Sequence, residues 1–165
     1  MLWEATNRAS GAVPELETYL HRRPMTAGLK IDAVFIEVMD GVQLPSALRD
    51  HPAVQRLAEL ADRAVCWSND VLSLEKELQE GDMHNLVQVL MQAHGLSVQA
   101  ALDEAAQMYH MEIEEFLEVE RMLPSFGVEE DGQVRQYAQL LKSRIGGILT
   151  WSRRSTRYQV AELTK

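Results

Sequence analysis

Residues 52–81 read PAVQRLAELADRAVCWSNDVLSLEKELQEG. Pro52 suits the first helical position, where its missing N–H is no loss, and Gly81 suits the left-handed residue past a helix end. The stretch predicts one long helix reaching about Glu80. Within it lies Trp67-Ser68-Asn69-Asp70-Val71-Leu72-Ser73-Leu74-Glu75-Lys76-Glu77. With Asn69 at zero and about 100° per residue, Ser73 falls at about 40°, Glu77 at about 80°, Lys76 at about −20° and Asp70 at about 100°. Five polar groups therefore share one stripe. The remaining directions carry Leu57, Leu60, Ala61, Ala64, Val65, Trp67, Leu72, Leu74 and Leu78. A helix so apolar belongs at the centre of a fold, and its stripe has to meet a cavity or a bound ion, because unpaired buried polar groups are costly.

The flanking sequence is helical as well. Pro14 predicts a helix to about Arg23, interrupted by Pro24. The pattern resumes with Leu29, Ile31, Val34, Phe35 and Val38 and ends near Gly41. Further helices are predicted over about Asn85 to His94, about Val98 to Leu123, and from near Val128 to about Tyr158, the last loosened at Gly146-Gly147. No alternating Val, Ile and Thr run and no Asn-Gly or Asp-Gly turn marks a strand. The expected fold is an all-α, antiparallel helical bundle. The acid-rich segment Asp103 to Glu120 reads as a solvated face, with Met108, Met111, Phe116 and Leu117 turned to the core.

Composition narrows the function. The chain has 165 residues, 46% hydrophobic and 25% charged, enough apolar surface to fold. Cys66 is the only cysteine, so no disulfide framework exists within it. The formal charge of −9 argues against nucleic-acid partners, which need a basic face. No apolar run reaches the roughly 18 residues of a membrane span, and the expected compartment is cytoplasmic. Basic residues cluster at Arg22-Arg23 and again from Lys142 onward, where six stand against one acid, Glu162. Two local basic clusters in an acidic chain suit a small anion.

Asn69, Ser73 and Glu77, at i, i+4 and i+8, offer an amide oxygen, a hydroxyl and a carboxylate. These hard donors suit Mg²⁺, which takes its other ligands from water and substrate phosphate. The rival metal chemistries lack their signatures, since no Glu-x-x-His pair for di-iron and no His-x-x-x-His pair for zinc occurs. Cys66, on an apolar helix face with no histidine nearby in sequence, is no nucleophile.

Asn69-Asp70-x-x-Ser73-x-x-Lys76-Glu77 resembles the NSE signature of class I terpene synthases in its bacterial form. In that family the Asn, Ser and Glu chelate one Mg²⁺ of a three-metal cluster holding a prenyl diphosphate. The resemblance implies Asn69, Ser73 and Glu77 as metal ligands and Lys76 as a diphosphate contact. Trp151-Ser152-Arg153-Arg154-Ser155-Thr156-Arg157-Tyr158 is similar to the terminal Arg-Tyr motif, which implies that Arg157 and Tyr158 hydrogen-bond the diphosphate. Tyr19-Leu20-His21-Arg22-Arg23 resembles the segment of the pyrophosphate-sensing arginine. Arg23 precedes Asn69 by the family's spacing, so it is implied as the catalytic sensor. Either Ala27 or Gly28 is implied as the effector position. Glu80 to Val87 is similar to the usual continuation of the motif.

The resemblance implies a Mg²⁺-dependent cyclase that converts a linear prenyl diphosphate, farnesyl diphosphate foremost, to a cyclic terpene. The aspartate-rich motif that binds the other two Mg²⁺ ions has no counterpart here. Residues 1–165 are thus expected to be the C-terminal portion of one class I terpenoid synthase domain, with the N-terminal half absent. Such a chain should leave apolar helix faces uncovered. Expected partners are the prenyl diphosphate and either the missing half or a second copy. The alternative is a noncatalytic helical fragment or binding module that pairs with that half. Phe35, Trp67, Tyr109 and Trp151 are the aromatics available to a cavity.

Overall fold

The computed structural model describes residues 2–42 and 44–158, except for the side chains of residues 36 and 157. Among them are eight α-helices: α1 (Leu2–Ser10), α2 (Leu16–Thr26), α3 (Leu29–Met39), α4 (Ser46–Arg49), α5 (Pro52–Glu80), α6 (Leu86–His94), α7 (Val98–Arg121) and α8 (Val128–Arg154). A 3₁₀ turn, Thr156–Tyr158, follows, and the described residues contain no strand. The architecture is the expected all-α bundle.

α5 is the axis. Its first turn is capped by His51, whose Nδ1 accepts from the Ala53 N–H at 3.2 Å. Its last turn is closed by Gly81 at φ 69°. Leu57, Leu60, Ala61 and Ala64 are wholly buried. α7 packs along one side and α8 along another, with α2 and α6 crossing the C-terminal half. The short α6–α7 connection is set by Gly95, also left-handed, and by Ser97, whose hydroxyl accepts from Ala100 N–H.

The structure corrects four expectations. α2 does not stop at Arg23: it runs through Pro24 to Thr26. Pro24 forfeits one helical bond, but less than a turn remains, and Ala27 N–H and Thr26 Oγ1 both close onto the Arg23 carbonyl. α8 is continuous through Gly146-Gly147, with Thr150 Oγ1 bonded to the Gly146 carbonyl at 2.9 Å. It breaks instead at Ser155, where the backbone turns extended at ψ 135°.

The third correction concerns α7. Met111 and Leu117 are exposed rather than in the core, whereas Phe116 is buried. Counting about 100° per residue from Ala101, Ala105 and Phe116 fall within about 60°, but Met111 lies about 80° away and Leu117 about 160°. Glu112 lies at about 20° in that frame and takes a place on the inner stripe. The acid-rich face is therefore not merely solvated. Glu112 accepts from Trp67 Nε1 at 3.3 Å, Glu115 pairs with Arg56 at 2.6 Å and Glu120 with Lys142 at 2.7 Å. Fourth, α1 and α4 are helices that the pattern of apolar residues did not announce.

On α3, Ile31, Val34, Phe35, Val38 and Met39 stand exposed together. An uncovered apolar helix face was expected, and α3 presents one.

Candidate metal centre

Five of the seven candidate residues line one cavity of about 370 Å³: Arg23, Asn69, Lys76, Glu77 and Tyr158. α5 supplies three of them, α2 brings Arg23, and the 3₁₀ turn after α8 folds back to bring Tyr158. Glu4 and Arg8 of α1 close another side, where Arg8 pairs with Asp82 at 2.7 Å and Asn7 bonds the His84 ring at 3.2 Å. Arg22, the other residue of the basic pair, instead lies over the Trp3 ring at 5.6 Å.

The network begins at Asn69. Its Oδ1 accepts from Arg23 Nη2 at 3.0 Å, and its Nδ2 donates to Tyr158 Oη at 2.8 Å. Arg23 is held more strongly by Asp70, with Nη2 at 2.6 Å and Nε at 3.1 Å from Oδ1. Burial works against the Arg23 charge, but Asp70, with smaller contributions from Tyr19 and Cys66, holds the guanidinium pKa well above its ordinary value. Tyr19 donates to Asp70 Oδ2 at 2.5 Å, and the Leu86 N–H donates to the same oxygen at 3.1 Å. Burial and then the neighbouring Asp70 charge push the Tyr19 hydroxyl well up, so it stays a donor.

Glu77 accepts from Asn85 Nδ2 at 2.8 Å. Burial raises its pKa, and the Asn85 bond only partly offsets this. Ser73 Oγ is sealed from solvent and makes no hydrogen bond of normal geometry, although its hydroxyl lies close enough to favour the Glu77 carboxylate. Lys76 Nζ bonds Glu80 at 2.7 Å in an i, i+4 pair, a contact worth only a few tenths of a kcal/mol and easily exchanged for an anion. The backbone of Arg157 lies in the 3₁₀ turn, but its side chain falls outside the described residues, so its expected diphosphate contact has no geometry here.

Mg²⁺ fits this donor set. The described residues hold no cluster of three His, Cys, Asp or Glu suited to a metal, and the hard donors that the α5 stripe offers are amide, hydroxyl and carboxylate oxygens. Asn69, Ser73 and Glu77 provide them on one stripe, and Ser73 Oγ is a buried oxygen that makes no hydrogen bond of normal geometry. Cys66 borders the same cavity, but burial pushes its thiol up to about 12, so it is neither a thiolate ligand nor a nucleophile.

Asp70, Tyr19 and Asn85 are the functional neighbours that sequence reasoning missed. Asp70 stood within the quoted motif, and Asn85 carried the signal of a helix cap: its Oδ1 accepts from Val87 N–H at 2.9 Å.

Residues 1–115 match the family model described as terpene synthase family 2, C-terminal metal binding. The chain belongs to this family. It is 41% identical over 158 residues to sesquiterpene synthase 3 of Postia placenta, covering 96% of this chain and 43% of that protein. It is 33% identical to germacrene A synthase of Nostoc punctiforme, covering 96% of this chain and 49% of that one. The crystal structure of α-eudesmol synthase superposes with a TM-score of 0.82 at 28% identity, over 92% of this chain and 50% of that one. The chain thus spans less than half the length of these curated relatives.

Proposed function

We propose that residues 1–165 are the C-terminal portion of a single class I terpene synthase domain. It acts in the cytoplasm on a prenyl diphosphate, most directly farnesyl diphosphate, to release diphosphate and form a cyclic terpene. One observation carries the reading: Arg23, Asn69, Lys76, Glu77 and Tyr158, drawn from three separate parts of the chain, border one cavity. Asn69, Ser73 and Glu77 would hold Mg²⁺, which supplies positive charge against the leaving diphosphate. Lys76, Arg23 and the Tyr158 hydroxyl bind and orient the diphosphate oxygens. Heterolysis of the C1–O bond sends its electron pair to the diphosphate, and these preset charges stabilise the growing negative charge without reorganising. The apolar side of the cavity, with Leu29, Val65 and Ile148, keeps water from the allylic cation. Cyclisation then ends with loss of a proton or capture of water.

The exposed α3 face supports a second reading, in which this portion binds a diphosphate but turns over only with an N-terminal half docked. The test is binding of farnesyl diphosphate to the purified chain, followed by gas chromatography–mass spectrometry of volatiles. Binding that requires Mg²⁺ and fails in Glu77→Gln supports the proposal, and a cyclic product extends it to turnover by this chain. Binding indifferent to both contradicts it.

A further inference from the structure

Among the described residues Asp70 is the most completely enclosed charged side chain, with no exposed surface. Both of its oxygens are committed. Oδ1 takes Arg23 Nη2 and Nε, and Oδ2 takes the Tyr19 hydroxyl and the Leu86 N–H. Its carbonyl also accepts from Asn85 Nδ2 at 2.6 Å, the same amide that holds Glu77. A carboxylate with four donors has no lone pair left for a metal, despite being the hard donor next to Asn69. A buried charge without its partners costs several kcal/mol, so such a group is retained only where its whole set of bonds is made.

We infer that Asp70, supported by Tyr19, is a positioning residue that fixes Arg23 for anion binding and ties it to the metal stripe. The inference rests on the functional reading above. The Arg23 guanidinium is planar, and Asp70 and Asn69 occupy Nε and Nη2. Nη1 lies outside this set of bonds, while the side chain borders the cavity and is 14% exposed. Asp70 thereby sets the plane in which the fork meets an anion. The shared Arg23 Nη2 also bonds Asn69 Oδ1, so a cation drawing on that oxygen and an anion drawing on Arg23 act on one hydrogen-bonded unit. Such a unit couples the two sites reciprocally.

The test is a double-mutant cycle on Mg²⁺-dependent binding of inorganic pyrophosphate, read by calorimetry on the whole chain. Asp70→Asn is expected to weaken binding about tenfold, inside the coupling range of residues in one network. Added to Arg23→Gln, it should cost less than about twofold more, because a misplaced arginine and a missing one are equivalent. Tyr19→Phe should weaken binding about threefold and fall silent in the same background. Affinity unchanged in Asp70→Asn, or losses that multiply with Arg23→Gln, overturns the inference. If melting curves show that Asp70→Asn does not fold, the Tyr19→Phe cycle decides by the same criterion. Wild-type chain that binds no Mg²⁺·pyrophosphate overturns the functional reading itself, before any variant is compared.

Discussion

Asn69 Nδ2 donates to Tyr158 Oη at 2.8 Å, joining the middle of α5 to the 3₁₀ turn after α8 across 89 positions of sequence. Tyr158 also stands edge-on to Trp151, with ring centroids 5.7 Å apart. A proposed metal ligand and a proposed diphosphate contact are therefore in direct contact. Tyr158→Phe keeps the ring packing and removes one bond of about 1 kcal/mol. Mg²⁺-dependent pyrophosphate binding is expected to weaken about fivefold, with the melting temperature lowered by only about 2–4 °C, as checked by calorimetry and thermal denaturation.

Ser73→Ala removes the buried hydroxyl. If that oxygen serves only folding, the substitution should be neutral or slightly stabilising, because an unpartnered buried hydroxyl costs about 1–3 kcal/mol. The account expects both results together: equal or higher stability to denaturant, and Mg²⁺ affinity lower by about tenfold or more. Unchanged Mg²⁺ affinity would remove Ser73 from the ligand set.

Arg144 is buried on α8 and pairs through Nη2 with Asp62 of α5, while its Nε and Nη1 find no partner among the described residues. Burial raises the Asp62 pKa despite the neighbouring guanidinium. Arg144→Met alone should destabilise by about 1–3 kcal/mol, since it leaves the half-buried Asp62 carboxylate without its charged partner. The paired Asp62→Leu/Arg144→Met variant should recover most of that loss in urea unfolding.

Glu112 gives a pH prediction. Burial raises its pKa from the ordinary glutamate value, offset in part by the Trp67 N–H and Arg63. Between the unfolded and folded values, the folded chain holds the extra proton. This contribution to stability is present at low pH and is lost as pH rises through the raised folded pKa. Glu112→Gln keeps an acceptor for Trp67 and removes the titration. Its melting temperature at pH 7 should equal or exceed wild type by about 1–3 °C, with the advantage vanishing at acid pH.

Much of the fold was legible because α5 carries its own boundaries in Pro52 and Gly81, and because its apolar girth marked it as central. That Asn69, Ser73 and Glu77 share one face was legible for a related reason, since helical geometry fixes which side chains lie together. The role of Asp70 was not legible. Its burial depends on Tyr19 and Arg23, from 51 and 47 positions away, and nothing in its local spacing separates a hub from an exposed acid. Glu112 misled for the converse reason, since an acid on an acidic helix reads as solvated until Trp67 is seen beside it. Pro24 misled because proline near a helix end costs one bond rather than the helix.

The central claim is that this chain holds a diphosphate through a divalent cation on the Asn69–Ser73–Glu77 stripe. Calorimetric titration of inorganic pyrophosphate into the wild-type chain, with Mg²⁺ and then with a chelator, tests it most directly. The account predicts saturable binding that weakens at least about tenfold without Mg²⁺ and is lost in Glu77→Gln. Equal binding in chelator, or full Mg²⁺-dependent binding by Glu77→Gln, would contradict it.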